Sequence, residues 1–521
     1  MIRIVHCFVT GICLALATGG TAQAQDCNAP GRETVTTVTL PGSPFSAIPA
    51  RDGCTVFVSL GGPQGGRIAV MRRTGGTLTL AHEVKLPSGS PSGMRLSSDG
   101  RLLAAANIDG VVLYDATRLA TGDATPLAVA KSEAPAGSTA ASTYVGISPD
   151  NRLVFVADEQ VEAITVYDLA RLRSGDTKPV GRIPVGRAPV GLAFSPDGRT
   201  LYSTSQQQAG GVGPATCRPP AGAPAGIPNT TPGSLFVIDV AAAARNPAQS
   251  IRARVEVACD PVRVVLSPDG AKAYVTARSA NTLEVFDTAR LVRDGAKARI
   301  ASIPVGLLPV GVVATADRVM VGNSNRLAGN SQLEWLSVID AATNRIIGDV
   351  PVGGFPREID RTADGRTVLV TNFASQSVAM IDLAGLTPAY FAAQKAAKAA
   401  DDAVRAKAAA DMQARIAGGR SSPGTEAALR KIIPTLQAGM PDLSLIANPQ
   451  MAVNLQNNSA QLQQRLQEWG ALQSVTFAGV GPGGGDNFII AFEKQRTRWA
   501  IAMAPDGRIQ NLGFGPLPPG Q

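Results

Sequence analysis

The stretch Val185–Gly198, VGRAPVGLAFSPDG, decides the fold. It holds an entry segment ending at Pro189, a short apolar strand from Val190 to Ser195, and a Ser-Pro-Asp-Gly turn. Proline at the second turn position presets φ and glycine at the fourth relaxes the exit, which suits a type I turn. Thr200 to Ser205, Ser234 to Asp239 and Ala253 to Ala258 read as three further strands, so the unit forms a sheet of four. One such sheet cannot bury both of its faces, and neighbouring sheets must stack around an axis.

The unit recurs along the chain. Its turn aspartates are Asp52, Asp99, Asp150, Asp197, Asp269, Asp317 and Asp364, at intervals of 47, 51, 47, 72, 48 and 47 residues. A proline stands eight positions earlier at Pro44, Pro91, Pro189, Pro261, Pro309 and Pro356, with Ser142 in the third copy. A later strand ends in Asp115, Asp168, Asp239, Asp287, Asp340 and Asp382, and only the first copy lacks it. Seven copies in phase predict a mainly β chain built as a seven-bladed β-propeller over residues 25–386. The seventh unit has three strands before a helical segment begins. Glu33 to Leu40, ETVTTVTL, has the β-branched alternation of a strand and is expected to complete that last blade, tying the chain's ends together.

These motifs resemble the YVTN family of propeller repeats, whose pattern runs Val-Gly-x-x-Pro, Ser-Pro-Asp-Gly, then a strand ending Ile-Asp. Val185 to Pro189, Val305 to Pro309 and Val352 to Pro356 carry the first element. The resemblance covers about residues 34 to 386 and implies the fold far more specifically than any function. Propeller lactonases, redox enzymes, binding proteins and structural envelope proteins are all similar in this respect.

Arg3, the apolar run Val9 to Ala17 and Ala22-Gln23-Ala24 follow the pattern of a secretory signal over residues 1–24, with cleavage expected before Gln25. Ile12 before Cys13 is too bulky for a lipoprotein site. No later apolar run is long enough to span a bilayer, so the mature protein is expected in the periplasm or outside the cell. Cys27, Cys54, Cys217 and Cys259 then remain, an even number that reads as two disulfides, and no C-x-x-C spacing points to zinc or thiol redox chemistry. In propeller topology Cys217 and Cys259 share the face carrying the blade entries. Cys27 and Cys54 share the opposite face, so the expected bridges are Cys217–Cys259 and Cys27–Cys54.

From Tyr390 to Ala417 the composition turns to Ala, Lys, Arg, Asp and Gln, a helix-forming mix. Residues 387–420 are expected to form a helical linker, either a spacer or packed along the propeller, and their few large apolar residues favour the spacer. Residues 421–521 read as a small α+β domain, with helices near Thr425 to Leu436 and Ser459 to Gly470. Strands are expected near Ser474 to Ala478, Asn487 to Glu493, Arg498 to Ala504 and Ile509 to Phe514. This portion resembles the nuclear-transport-factor-type domain found at the end of some secreted serine hydrolases, which implies an accessory role. Trp469 and Trp499 are read as packing residues.

Charged residues make up 17% of the chain and the formal net charge is +8, falling to +7 without Arg3. The basic residues are scattered without interleaved aromatics, which disfavours nucleic acid. The mature chain has one histidine, His82, in an outer strand, and lacks C-x-x-C-H, so a redox propeller is disfavoured. Neither G-x-S-x-G nor S-x-x-K occurs. Ser148, Ser195 and Ser267 and the repeated aspartates belong to turns, so no catalytic residue, metal ligand or cofactor is assigned. Arginine recognises carboxylate and phosphate through bidentate hydrogen bonds. Arg187, Arg263, Arg278, Arg357 and Asn372, with Asp158 and Glu159 across the ring, are therefore the candidate ligand-facing residues. The function they point to is non-catalytic binding of a protein, a glycan or a small anionic ligand. The alternatives are a lactonase-like hydrolase using the channel and a structural envelope protein.

Overall fold

The computed structural model describes residues 27, 29, 31, 33–61, 65–86, 90–136, 138–218, 229–326, 333–481, 484–504 and 506–517. The expected signal segment 1–24 lies outside them. Each repeat folds into a four-stranded antiparallel meander, and seven such sheets lie along Val35–Asp382, with an eighth formed by Leu472–Val480, Asp486–Phe492, Arg496–Met503 and Ile509–Pro516. The chain is mainly β and propeller-like.

The repeat motifs act locally. In the quoted stretch Ser195 Oγ donates to Asp197 at 2.5 Å, and the same aspartate accepts from the Arg199 amide at 3.0 Å. The Ser–Asp pair recurs at Ser97–Asp99, Ser148–Asp150 and Ser267–Asp269, and threonine replaces serine at Thr315–Asp317 and Thr362–Asp364. The aspartate ending the third strand has another task. Asp115, Asp168, Asp239, Asp287 and Asp382 each accept amide hydrogens from the helical turn that follows, as N-caps do. Both sets of aspartates are occupied by the turns they stabilise.

The first strands are Ser43–Pro49, Pro91–Leu96, Ser142–Ile147, Arg187–Phe194, Pro261–Leu266, Pro309–Ala314 and Pro356–Arg361. Each touches the next, and the last touches the first. The hydrophobic cores repeat this cycle. Phe155 and Ile164 of the third sheet pack on Leu201 and Phe236 of the fourth, and Leu369 of the seventh packs with Val58 and Met71 of the first. Between these lie five equivalent cores, each shared by two neighbouring sheets. Every sheet thereby covers its two apolar faces.

Closure follows the expected route. Val35–Thr39 pairs antiparallel with Ser377–Asp382, from Val35 opposite Ile381 to Thr39 opposite Ser377, and supplies the outer strand of the seventh sheet. Cys27–Cys54 anchors the segment before it, and Cys217–Cys259 ties the fourth unit's insertion to the entry of the fifth. Disulfides of this kind fit an oxidising compartment. Among the described residues no helix is long and apolar enough to cross a membrane.

The helix runs Pro388–Ala417 and is not a free spacer. It lies along Arg345–Val352, the outer strand of the sixth sheet. Phe391 packs where a Cβ on Gly348 would come within 2.3 Å of its ring, so only glycine admits it. Trp335 Nε1 donates to Asp401 at 2.8 Å, and Arg405 reaches Glu334 at 3.1 Å and the Leu333 carbonyl at 2.8 Å. Specific polar anchors do here what large apolar residues would otherwise do, and the helix covers a sheet edge. At its far end Arg415 pairs with buried Asp486 at 2.5 Å, which also accepts from Ser422 and Thr425.

Beyond it, Thr425–Gln437 and Ser459–Glu468 share a core with the eighth sheet, built from Leu429, Ile432, Leu466, Phe488, Trp499 and Ile501. Pro449–Asn457 adds a helix that sequence reading did not anticipate. Trp499 is fully buried and stacks on Phe514 at 4.2 Å.

Replacing both Cys27 and Cys54 with serine is expected to cost about 3 kcal/mol through loss of loop closure. The loss will appear as a lower melting temperature together with faster amide exchange in Val35–Thr39. Unchanged exchange in Val35–Thr39 would show that the bridge does not hold the closing strand.

Candidate functional site

The residue after the repeat proline, or after Ser142, reaches the axis in every sheet. Phe45, Ser92, Thr143, Val190, Val262, Val310 and Arg357 all line one cavity of about 490 Å³ on the face where the first strands enter. In five sheets the residue before that proline, or before Ser142, has a left-handed backbone: Ala141, Ala188, Asp260, Leu308 and Phe355 have φ of 49–55°. Such strain in non-glycine residues needs the surrounding fold to hold it.

One position further along, Gly93, Gly191 and Gly311 alternate with Tyr144, Arg263 and Glu358. A Cβ on Gly93 would meet the Tyr144 ring at 2.6 Å, so the small residue makes room for the large one. Tyr144, Arg263 and Glu358 form a polar plug across the channel. The Tyr144 hydroxyl donates to Glu358, Arg95 reaches it at 3.2 Å, and Arg263 Nε reaches it at 3.3 Å. Arg95 also pairs with Asp360 at 3.2 Å. Arg263 lies over the Tyr144 ring at 4.0 Å, a cation–π contact that offsets part of its desolvation.

The plug is buried, with the Arg263 side chain 7% exposed and that of Glu358 4%. Burial pushes the Glu358 carboxyl up to about 8, with Arg95 pulling it down and Asp360 adding to the rise. Arg263 is pulled down to about 9, first by burial and then by Arg95. Arginine remains charged at neutral pH in such a setting, yet Arg263 Nη1 is buried with no hydrogen-bond partner among the described residues. A buried charged donor left unsatisfied is costly unless something arrives to accept from it.

Arg278, Arg326, Arg357 and Glu159 complete the cavity wall. Arg278 donates to Gln206 at 2.5 Å and stands 3.8 Å from Asp260. Arg357 makes no ion pair among the described residues; it lies over Phe45 at 3.9 Å, with Phe373 at 5.1 Å and Phe355 at 5.4 Å. Burial lowers it to about 9, with Arg263 and Arg326 adding repulsion. The cavity thus concentrates positive charge that the protein itself neutralises incompletely, a setting that attracts anions.

Of the residues singled out in the sequence, Arg263, Arg278, Arg357 and Glu159 come together here. Arg187 stands outside the lining and faces Glu162 at 3.4 Å. Asp158 is turned into its own sheet, where it accepts from Ser142 and Thr165 and burial raises its carboxyl. Asn372 is likewise buried and donates to Ser377 at 3.2 Å. Both sit at the ends of second strands and hold the hairpins. His82 lies in the outer strand of the first sheet, half-buried beside the Leu119 carbonyl. Among the described residues no three of His, Cys, Asp and Glu gather to hold a metal ion.

Phe45, Tyr144, Arg95, Arg326 and Glu358 were missed in the sequence. The signal for three of them was present: counting one and two places past each repeat proline, or past Ser142, points to Phe45, Tyr144 and Glu358. The opposite end of the channel, around Leu192, Phe194 and Val264, opens into a smaller cavity of about 340 Å³.

No family model and no curated protein matches the chain. Among solved structures it is similar to a chain of the hydrazine synthase of Kuenenia stuttgartiensis. The two are 19% identical with a TM-score of 0.49, over 67% of this chain and 97% of that one.

Glu358 gives the fold a pH signature. Its carboxyl binds a proton more tightly folded than unfolded, so its contribution to stability is full below its unfolded value near 4.5 and is lost as pH rises towards 8. The melting temperature of the native protein, minus that of Glu358→Gln, should therefore decrease steadily from pH 5 to 8. A difference that stays flat or grows over this range would show that burial does not govern this carboxyl.

Proposed function

We propose that this chain is an exported protein whose seven-bladed β-propeller, of the YVTN type, binds a small anionic ligand in its entry-face cavity without turning it over. The observation that carries this reading is the convergence of Arg263, Arg278, Arg326 and Arg357 on one cavity, with a buried Arg263 Nη1 that has no partner among the described residues. The volume falls in the range of small-molecule sites. The in-phase repeats and the ring of seven inter-sheet cores support the blade count, and the two disulfides support export. Residues 421–521 are read as a nuclear-transport-factor-type domain, supported by helices packed on one sheet. The helix Pro388–Ala417, anchored at both ends, would hold it to the propeller as a second contact surface.

The test is isothermal titration of the mature protein with acetate, hexanoate, glucuronate and inorganic phosphate, followed by assay of the recovered ligand. At least one anion should bind and be recovered unchanged. Arg357→Ala should weaken it roughly 10- to 100-fold, the effect of removing a charged hydrogen bond. Binding that survives this substitution would move the site elsewhere, and chemical conversion of the anion would replace the binding role with catalysis.

A further inference from the structure

The cavity floor is divided. Val190, Val262 and Val310, from three consecutive sheets, form a buried apolar cluster of their own and line the cavity side by side. Phe45 continues the apolar surface beneath Arg357. The polar arc between them is already committed, because Ser92 donates to the Thr143 carbonyl at 2.9 Å and Thr143 donates to the Ala141 carbonyl at 3.1 Å. The charged groups are gathered at Arg263, Arg278, Arg326 and Arg357, with Glu159 the acid among them.

We propose that the ligand of this cavity is a compact monocarboxylate with an apolar body, its carboxylate held by Arg357 and Arg263 and its body laid on the valine arc. The proposal rests on the reading of the cavity as an anion site and narrows it to one chemical class. A sugar acid would set hydroxyls against Val190, Val262 and Val310, where they lose water and gain no partner. Inorganic phosphate would satisfy the guanidinium groups but leave the apolar arc uncovered. A carboxylate suits the planar fork of arginine, and an apolar chain displaces water from the valines.

The experiment is a titration series of acetate, butyrate and hexanoate against the mature protein, with inorganic phosphate and glucuronate as competitors. Each added methylene should tighten binding by about three- to fourfold, as expected for a buried CH₂, and the heat-capacity change should become more negative along the series. Val262→Thr with Val310→Thr keeps the shape and should flatten the chain-length dependence. The heat-capacity trend needs no variant and stands if the double substitution fails to fold. Equal affinity for all chain lengths, or tighter binding of phosphate or glucuronate that depends on Arg357, would overturn the apolar class and leave the anion site intact. Absence of binding by every anion would overturn both.

Discussion

The antiparallel pairing of Val35–Thr39 with Ser377–Asp382 is the contact on which the rest of the structure depends. Each repeat buries its two faces only against its neighbours, so an open row would leave the first and last sheets with an apolar face in water. Pairing the first strand of the chain with the seventh sheet brings Leu369 and Met380 against Val58 and Met71 and completes the cycle of cores. The closing strand is five residues long, and the Cys27–Cys54 bridge lies just before it. A short element carries the closure because the large apolar area it secures lies between sheets, not within the strand.

Closing the ring creates an axis that no single repeat specifies. Seven chemically similar segments converge there, and their side chains must share a narrow space. Glycine at Gly93 leaves room for Tyr144, and Tyr144, Arg263 and Glu358 meet one another beneath the cavity. The plug separates two openings of different character. Above it stand Arg278, Arg326 and Arg357 with an apolar arc; below it the lining is mostly apolar, with Arg95 at the edge. Burial first, and then repulsion from neighbouring arginines, lowers the proton affinity of Arg263, Arg278 and Arg357, and a bound anion relieves that repulsion. Strain in the residues before the repeat prolines is concentrated on the same face, as is common where a fold holds side chains in place for binding.

Much of this was legible in the chain. The turn aspartates, the prolines eight places earlier, the closing strand and both disulfides followed from periodicity and topology, because each is local or tied to the repeat. The helix Pro388–Ala417 misled for a physical reason. Its apolar content is low, yet Phe391 fits over Gly348 and two polar residues, Asp401 and Arg405, supply the anchoring that a hydrophobic stripe usually gives. Asp158 and Asn372 misled for another: a polar residue at a strand end can turn into the sheet as readily as towards the axis, and only packing selects between them.

The sequence by itself determined the repeat, its strand order, the N-terminal strand that closes the ring and the pairing of the cysteines, since these depend on spacing along the chain. Only the tertiary structure decided which side chains meet at the axis. Arg95, Tyr144, Arg263 and Glu358 come from four different sheets and are separated by up to 263 residues. Their neighbourhood and their burial exist only once the sheets have stacked, because burial and charge proximity are properties of the closed ring.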